Sequence, residues 1–133
     1  MKCGARQQAL LALILVCAQL ASGCVAAAGA AAGAGAAVYL TDRGASSLVN
    51  ASLDQTAKRT RRAFSDLGIR MKEVETKERE RTFKGATRDL DVTAELGRRE
   101  DGATRVEVTA RRSAVSWDKE YAQRVVARIV GVD

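Results

Sequence analysis

The sequence predicts an α+β fold in which one antiparallel sheet of four or five strands carries two helices on one face. Two observations lead to this prediction. Several short segments alternate apolar and polar residues, as half-buried strands do, whereas residues 52–67 and 116–130 have helical spacing. The short connections between these segments favour an antiparallel sheet with the order β-α-β-β-β-β-α. The predicted domain occupies residues 46–133 and follows two segments of different composition.

The first segment, residues 1–23, has the layout of a secretory signal peptide. Lys2 and Arg6 supply a positive start, and residues 9–20 (ALLALILVCAQL) follow as an apolar run. That run is shorter than the roughly 18–20 apolar residues that a membrane-spanning helix needs. We therefore expect export of the protein and removal of this segment.

Residues 20–24 (LASGC) resemble the lipobox of bacterial lipoproteins. The resemblance implies cleavage just before Cys24 and a diacylglyceryl group on the Cys24 thiol, whereas the alternative is an ordinary signal peptide that precedes a cysteine. Cys3 and Cys17 would leave with the signal, so the mature chain could form no internal disulfide. Val25 stands where lipoproteins kept at the inner membrane typically have Asp. The resemblance therefore favours the outer membrane over the inner one, with the domain facing the periplasm.

Residues 24–45 are predicted to be a lipidated N-terminus and a tether. Their first part, residues 25–38, contains only Ala, Gly and Val. One interpretation is a flexible spacer. The other is a segment that associates in the bilayer, because Gly29 and Gly33 have the spacing that lets helices approach closely in membranes.

The domain begins with a short predicted strand at residues 46–51 and a helix at residues 52–67. Ser52 is a good N-cap residue, and Gln55 three positions later completes a capping box. Gly68 supplies the stop signal. The helix has one apolar face of modest width.

Residues 90–96 and 105–111 alternate apolar and polar side chains, and Asp101-Gly102 between them predicts a hairpin. Two further strands are predicted upstream, at residues 69–74 with a bulge and at residues 81–87 with Phe83 facing inward. The polar positions of the hairpin should form a sheet face open to water. These positions are Asp91, Thr93, Glu95, Arg105, Glu107 and Thr109.

The last predicted helix covers residues 116–130. Asp118 and Glu120 lie in its first turn, where negative charge is favourable, and Trp117 lies at its start. Its predicted inner stripe is formed by Tyr121, Ala122, Val125 and Ile129.

Five features follow one another along the chain: Cys24, the Ala/Gly tract, Tyr39, residues 51–68 (ASLDQTAKRTRRAFSDLG) and residues 104–106 (TRV). Their order is similar to that of the DUF3568 family of small bacterial lipoproteins. Gly44 would correspond to a glycine that typically follows the tyrosine. The resemblance implies an envelope lipoprotein with a small α+β domain, and it implies no known reaction, cofactor or binding residue.

Catalysis is not expected from this composition. The chain has no His, which is the commonest general base and metal ligand. The carboxylate pairs Glu73/Glu75 and Glu78/Glu80 alternate with Lys and Arg, so we interpret them as solvated surface. We expect no enzyme activity, no cofactor and no metal site.

The basic residues are the one sequence feature that points to a ligand. Without Lys2 and Arg6 the chain keeps 20 basic residues against 16 acidic ones. The candidate contact residues for an anionic partner are Lys58, Arg59, Arg61 and Arg62. The leading hypothesis is a non-enzymatic envelope protein that acts through protein contacts on the open sheet face. The alternative is a module that binds an anionic envelope ligand through this helix. Nucleic acid is not expected as a partner of an exported protein.

Overall fold

The computed structural model describes residues 36–131, which form one antiparallel sheet with two helices on the same face. The α+β class is confirmed, but the sheet has seven strands rather than four or five. The elements in chain order are β1 (Val38–Leu40), β2 (Gly44–Val49), α1 (Leu53–Asp66), β3 (Arg70–Thr76), β4 (Glu80–Ala86), β5 (Asp91–Arg98), β6 (Thr104–Ser113), β7 (Ser116–Trp117) and α2 (Lys119–Val130).

The strands lie in the order β1-β2-β6-β5-β4-β3, and β7 pairs with the end of β6. Consecutive strands from β3 to β6 form a meander, whereas β2 pairs with β6 across a long stretch of chain. β1 and β3 are therefore the two edges of the main sheet. β1, and the first residues of β2, lie within the range 24–45 that the sequence assigned to the tether.

Helix α1 confirms its predicted boundaries and capping box. The Gln55 N–H donates to Ser52 Oγ at 3.2 Å, and the Ser52 N–H donates to Gln55 Oε1 at 3.3 Å. Gly68 follows the C-cap with φ of 66°, a left-handed conformation that glycine adopts without strain. The helix buries Phe64, whose ring meets Phe83 of β4 edge-on at a centroid distance of 6.4 Å.

The start of the last helix was predicted three residues too early. Ser116 and Trp117 form β7 instead, opposite Ser113 and Arg111 of β6. The N-cap is Asp118, whose carboxylate accepts a hydrogen bond from the Tyr121 N–H at 2.9 Å. The predicted stripe is otherwise buried, although Tyr121 is only half-buried. The buried residues of α2 are Ala122, Val125, Val126, Ile129 and Val130.

The predicted hairpin and bulge are both present. β5 and β6 pair over their whole common length, and Gly102 in their connection has φ of 83°. The register of β3 against β4 shifts between Met71 and Glu73, so Lys72 is an extra residue in that strand. Phe83 is fully buried, as predicted.

The core lies between the helices and the inner sheet face. Helix α2 contacts β2 and β6, and helix α1 contacts β5 and β4. At Gly44 the β2 backbone lies so close to β6 that a Cβ atom would stand 2.0 Å from the Val108 carbonyl oxygen. By contrast, a Cβ atom at Gly97 would meet nothing within 4 Å.

Candidate functional site

The sheet face opposite the helices is covered by no element of the described region. All six predicted outward positions of β5 and β6 lie on it, because their neighbours Val92, Ala94, Leu96, Val106 and Val108 point into the core. Thr82 and Lys84 of β4 extend the same face, since Phe83 between them points inward. The alternation of these three strands therefore positions a broad polar surface, which we call the open face.

Two carboxylates oppose each other at the centre of the open face. Glu95 of β5 and Glu107 of β6 are direct cross-strand partners. Glu107 lies 3.3 Å from the Arg105 guanidinium, whereas Glu95 has no ion pair within residues 36–131. Like charges placed directly opposite each other destabilise a sheet. This pair therefore opposes folding rather than supporting it.

A second charge cluster lies at the β3 side of the open face. Lys84 Nζ lies 2.5 Å from Glu75 Oε1 and 3.1 Å from Glu73 Oε2. The hydrogen bond and charge of Lys84 lower the pKa of the Glu75 carboxyl. The hydrogen bonds that Lys84 donates to Glu75 and Glu73 raise the pKa of its ammonium group. The contact therefore favours the charged forms of both Glu75 and Lys84.

The sequence pattern does not predict this cluster. Of the pair interpreted as solvated surface, Glu73 is exposed and Glu75 is half-buried. Their common contact with Lys84 depends on the register of β3 against β4, which the sequence does not reveal. Of the other predicted pair, Glu80 lies near this cluster, because it lines the same depression of the open face as Glu75 and Lys84.

The open face contains a shallow depression of about 470 Å³ at one end. Its lining residues are Glu75, Lys77, Glu80, Thr82, Lys84, Thr93, Glu95, Leu96, Gly97, Arg105 and Glu107. The depression holds hydroxyls, carboxylates and cations, but these groups are exposed or half-buried. Such a surface suits contact with another polar surface better than enclosure of a small molecule.

The basic cluster of α1 is divided between two sides of the helix. Arg59 and Arg62 line a cleft of about 370 Å³ beside α2, together with Arg128. Arg61 lies on the other side, with its guanidinium 5.7 Å from the centre of the Phe83 ring. Lys58 is exposed. The structure thus brings only two of the four predicted residues to one cleft.

A third arginine joins this cleft from a different part of the chain. Arg128 Nη2 lies 3.0 Å from Asp66 Oδ2, an ion pair that links the two helices. The cleft therefore holds three guanidinium groups and one carboxylate. No local sequence signal connects Arg128 with Arg59, because the two residues meet only after the helices pack on the sheet.

Cys24, the predicted lipidation site, lies outside the described residues, as do the predicted signal peptide and most of the Ala/Gly tract. Neither helix of the described region has the length and apolar content needed to cross a bilayer. Within residues 36–131, no three acidic or cysteine side chains come together as metal ligands would. In the same range every buried side-chain nitrogen and oxygen has a hydrogen-bond partner.

Comparison with known proteins gives one informative result. A search among curated proteins found no match. A family model described as "Protein of unknown function (DUF3568)" matches residues 8–130. This match spans both the N-terminal segment and nearly the whole folded domain, so the chain belongs to the DUF3568 family.

Proposed function

We propose that this protein is a lipid-anchored envelope protein without enzymatic activity that holds a protein partner against its open face. The observation that carries the proposal is the opposition of Glu95 and Glu107 on the open face. A partner that places a Lys or Arg side chain between the two carboxylates would relieve their repulsion, and this would explain why the chain carries an arrangement that opposes folding. The contact would then be formed by the face of the sheet, while the helices hold the core.

The proposed anchor rests on the sequence pattern around Cys24. Two or three acyl chains hold a protein firmly at a membrane, because each buried CH₂ contributes about 0.8 kcal/mol. The anchor is tested by intact mass and membrane fractionation of the wild type beside Cys24→Ala. We expect the wild type to be cleaved before Cys24, heavier by lipid and found with the outer membrane. A soluble wild type without lipid would refute the anchor.

The partner contact is tested by placing a photo-crosslinking residue at Thr93, in the middle of the open face. The matched control carries the same residue at Gln123, which is exposed on α2. We expect a discrete crosslinked product in intact cells from position 93 and none from position 123. The product should be lost when Glu95→Gln and Glu107→Gln are combined in the same chain. Equal products from both positions would contradict a contact at the open face.

A second candidate function is binding of an anionic envelope ligand in the cleft between the helices. The convergence of Arg59, Arg62 and Arg128 favours it, whereas Asp66 offsets part of their charge. The test is binding to vesicles that contain phosphatidylglycerol, measured over a series of salt concentrations. Loss of a salt-sensitive affinity in Arg59→Ala/Arg62→Ala, with Arg61→Ala as control, would favour this function. If Arg61→Ala lowered the affinity for the vesicles as much as the double variant does, the cleft would not be the binding site.

A further inference from the structure

Within residues 36–131, no strand pairs with the outer side of β3, so β3 is one of the two edges of the sheet. Met71 and Val74 of this strand are 39% and 37% exposed, although both face the helix side of the sheet. An edge of this kind offers free backbone N–H and C=O groups to a further strand. Its single Lys and its bulge are features that discourage indiscriminate pairing. A strand that pairs with this edge therefore needs side-chain charges opposite to those of β3.

We infer that β3 pairs antiparallel with β3 of a second copy of this chain, in the register where Lys72 of each copy faces Glu73 of the other. The same register places Arg70 opposite Glu75 and Met71 opposite Val74. Residues 70–75 (RMKEVE) are thus self-complementary, because each cation meets an anion and each apolar residue meets another. Both copies use the same patch, as a twofold interface requires.

The bulge makes this register geometrically consistent. In a regular strand Met71 and Val74 would point to opposite faces, and so would Arg70 and Glu75. The register shift between Met71 and Glu73 changes this pattern. Met71 and Val74 oppose Gly85 and Phe83 and so share the helix face, whereas Arg70 and Glu75 oppose Ala86 and Thr82 and share the open face. Cross-strand partners in the proposed dimer therefore lie on matching faces.

A register centred on Glu73 is less favourable. It would place Glu73 opposite Glu73 and Met71 opposite Glu75, and the bulge would put the latter two side chains on different faces of the sheet. The bulge and the charge pattern thus both favour the proposed register over this alternative. The inference goes beyond the proposed function, since it uses only β3 and requires neither the anchor nor an outside partner.

The test reverses the charge at position 72 or at position 73, which face each other across the twofold axis of the proposed dimer. In Lys72→Glu alone, two carboxylates would meet at each contact between positions 72 and 73, and in Glu73→Lys alone, two lysines would meet there. An equal mixture of the two variants restores opposite charges at both contacts. With the full chain in detergent, we expect each single variant to dissociate about tenfold more readily than the wild type, and the mixture to associate like the wild type. Sedimentation velocity over a series of protein concentrations measures the fraction of dimer in each sample.

Two controls separate the edge contact from other effects. Asp91→Asn removes the 3.1 Å ion pair of Lys72 within the chain without changing β3, and Leu40→Glu places a charge on the opposite edge strand. Both should associate like the wild type, and Cys24→Ala should do so whether or not the anchor exists. A wild type that stays monomeric at all concentrations, or a mixture that associates no better than its components, would overturn the inference.

Discussion

At the scale of single residues, the opposed carboxylates of Glu95 and Glu107 are a feature that stability does not explain. Their alternation with buried neighbours was predictable from the sequence, because period-2 patterning assigns each residue to a face. Their direct opposition was not, since register depends on how the β5–β6 connection closes. The face was thus predictable, whereas the pairing within it required the structure.

Replacing Glu95 by Gln should stabilise the protein. The change removes a like-charge contact without changing side-chain size, so the free energy of unfolding should rise by about 0.2–1 kcal/mol at low salt. Urea unfolding at pH 7 measures this difference, which should shrink at high salt. Glu100→Gln, in the β5–β6 connection, is the matched control and should change little. A destabilised Glu95→Gln would mean that the opposed pair does not oppose folding.

Glycine at position 44 should be required by the close approach of two strands. A Cβ atom there would overlap the Val108 carbonyl oxygen, so we expect Gly44→Ala to lower the free energy of unfolding by about 1–3 kcal/mol or more. Gly97→Ala is the control within the same sheet, where the added methyl meets nothing. Chemical denaturation of both variants tests this expectation. Equal stability of the two would contradict the packing at Gly44.

At the scale of elements, the two helices differ in how well their starts could be predicted. Ser52 begins α1 through a capping box, a local pattern that is readable from four residues. The start of α2 depends on β7, whose two residues pair with the end of β6 across the short turn at Ala114 and Val115. This turn contains none of the Gly, Asn or Asp residues that signal a tight hairpin. The three residues of β1 are likewise too few to show the period of a strand.

The cap of α2 gives a pH-dependent prediction. The Tyr121 N–H, and then Arg112, lower the pKa of the Asp118 carboxyl. Because this pKa lies lower in the folded than in the unfolded chain, the stabilisation is present above about pH 4 and is lost as the pH falls below that value. Asp118→Asn should therefore weaken the decline of stability in acid. Thermal unfolding of the wild type and of Asp118→Asn between about pH 2 and pH 7 measures this difference in acid dependence.

Removing the cap altogether provides the comparison. Asp118→Ala should lower the free energy of unfolding by about 0.5–2 kcal/mol at neutral pH, and Ser52→Ala should have a similar effect on α1. Only the change at position 118 should alter the acid dependence, since Ser52 does not titrate. If Ser52→Ala flattened the acid decline as much, the assignment of that decline to Asp118 would be wrong.

For the whole molecule, the fold class was predictable, but the order of the strands in the sheet was not. Hydrophobic periodicity indicates helices and strands, and chain order indicates a meander. The pairing of β2 with β6 joins residues far apart in the chain, and nothing local specifies it. The same limit applies to the cleft, where Arg128 meets Arg59 and Arg62 only through the packing of both helices.

Stability should vary across the sheet according to strand position. β6 is paired on both sides and buries Val106, Val108 and Ala110 completely, whereas β1 has three residues and, among the described strands, a single neighbour. Amide hydrogen exchange should therefore be slower in β6 than in β1 by roughly a hundredfold or more. Exchange measured by mass spectrometry on the full chain tests this. Equal protection of both strands would mean that the sheet opens only as a unit.

The place where the chain enters the sheet determines how the domain would respond to mechanical load. Val38 pairs with Ser47 at the end of the β1–β2 ladder that lies away from the intervening turn. A pull on the preceding chain would strain this end first, where the Ser47 hydroxyl also donates to the Ala37 carbonyl at 2.8 Å. The hydrogen bonds between β1 and β2 would then break one after another from this end, while β2 stays paired with β6. Loss of β1 would lengthen the extended chain that precedes β2 and would withdraw Ala36 and Val38 from the margin of the core.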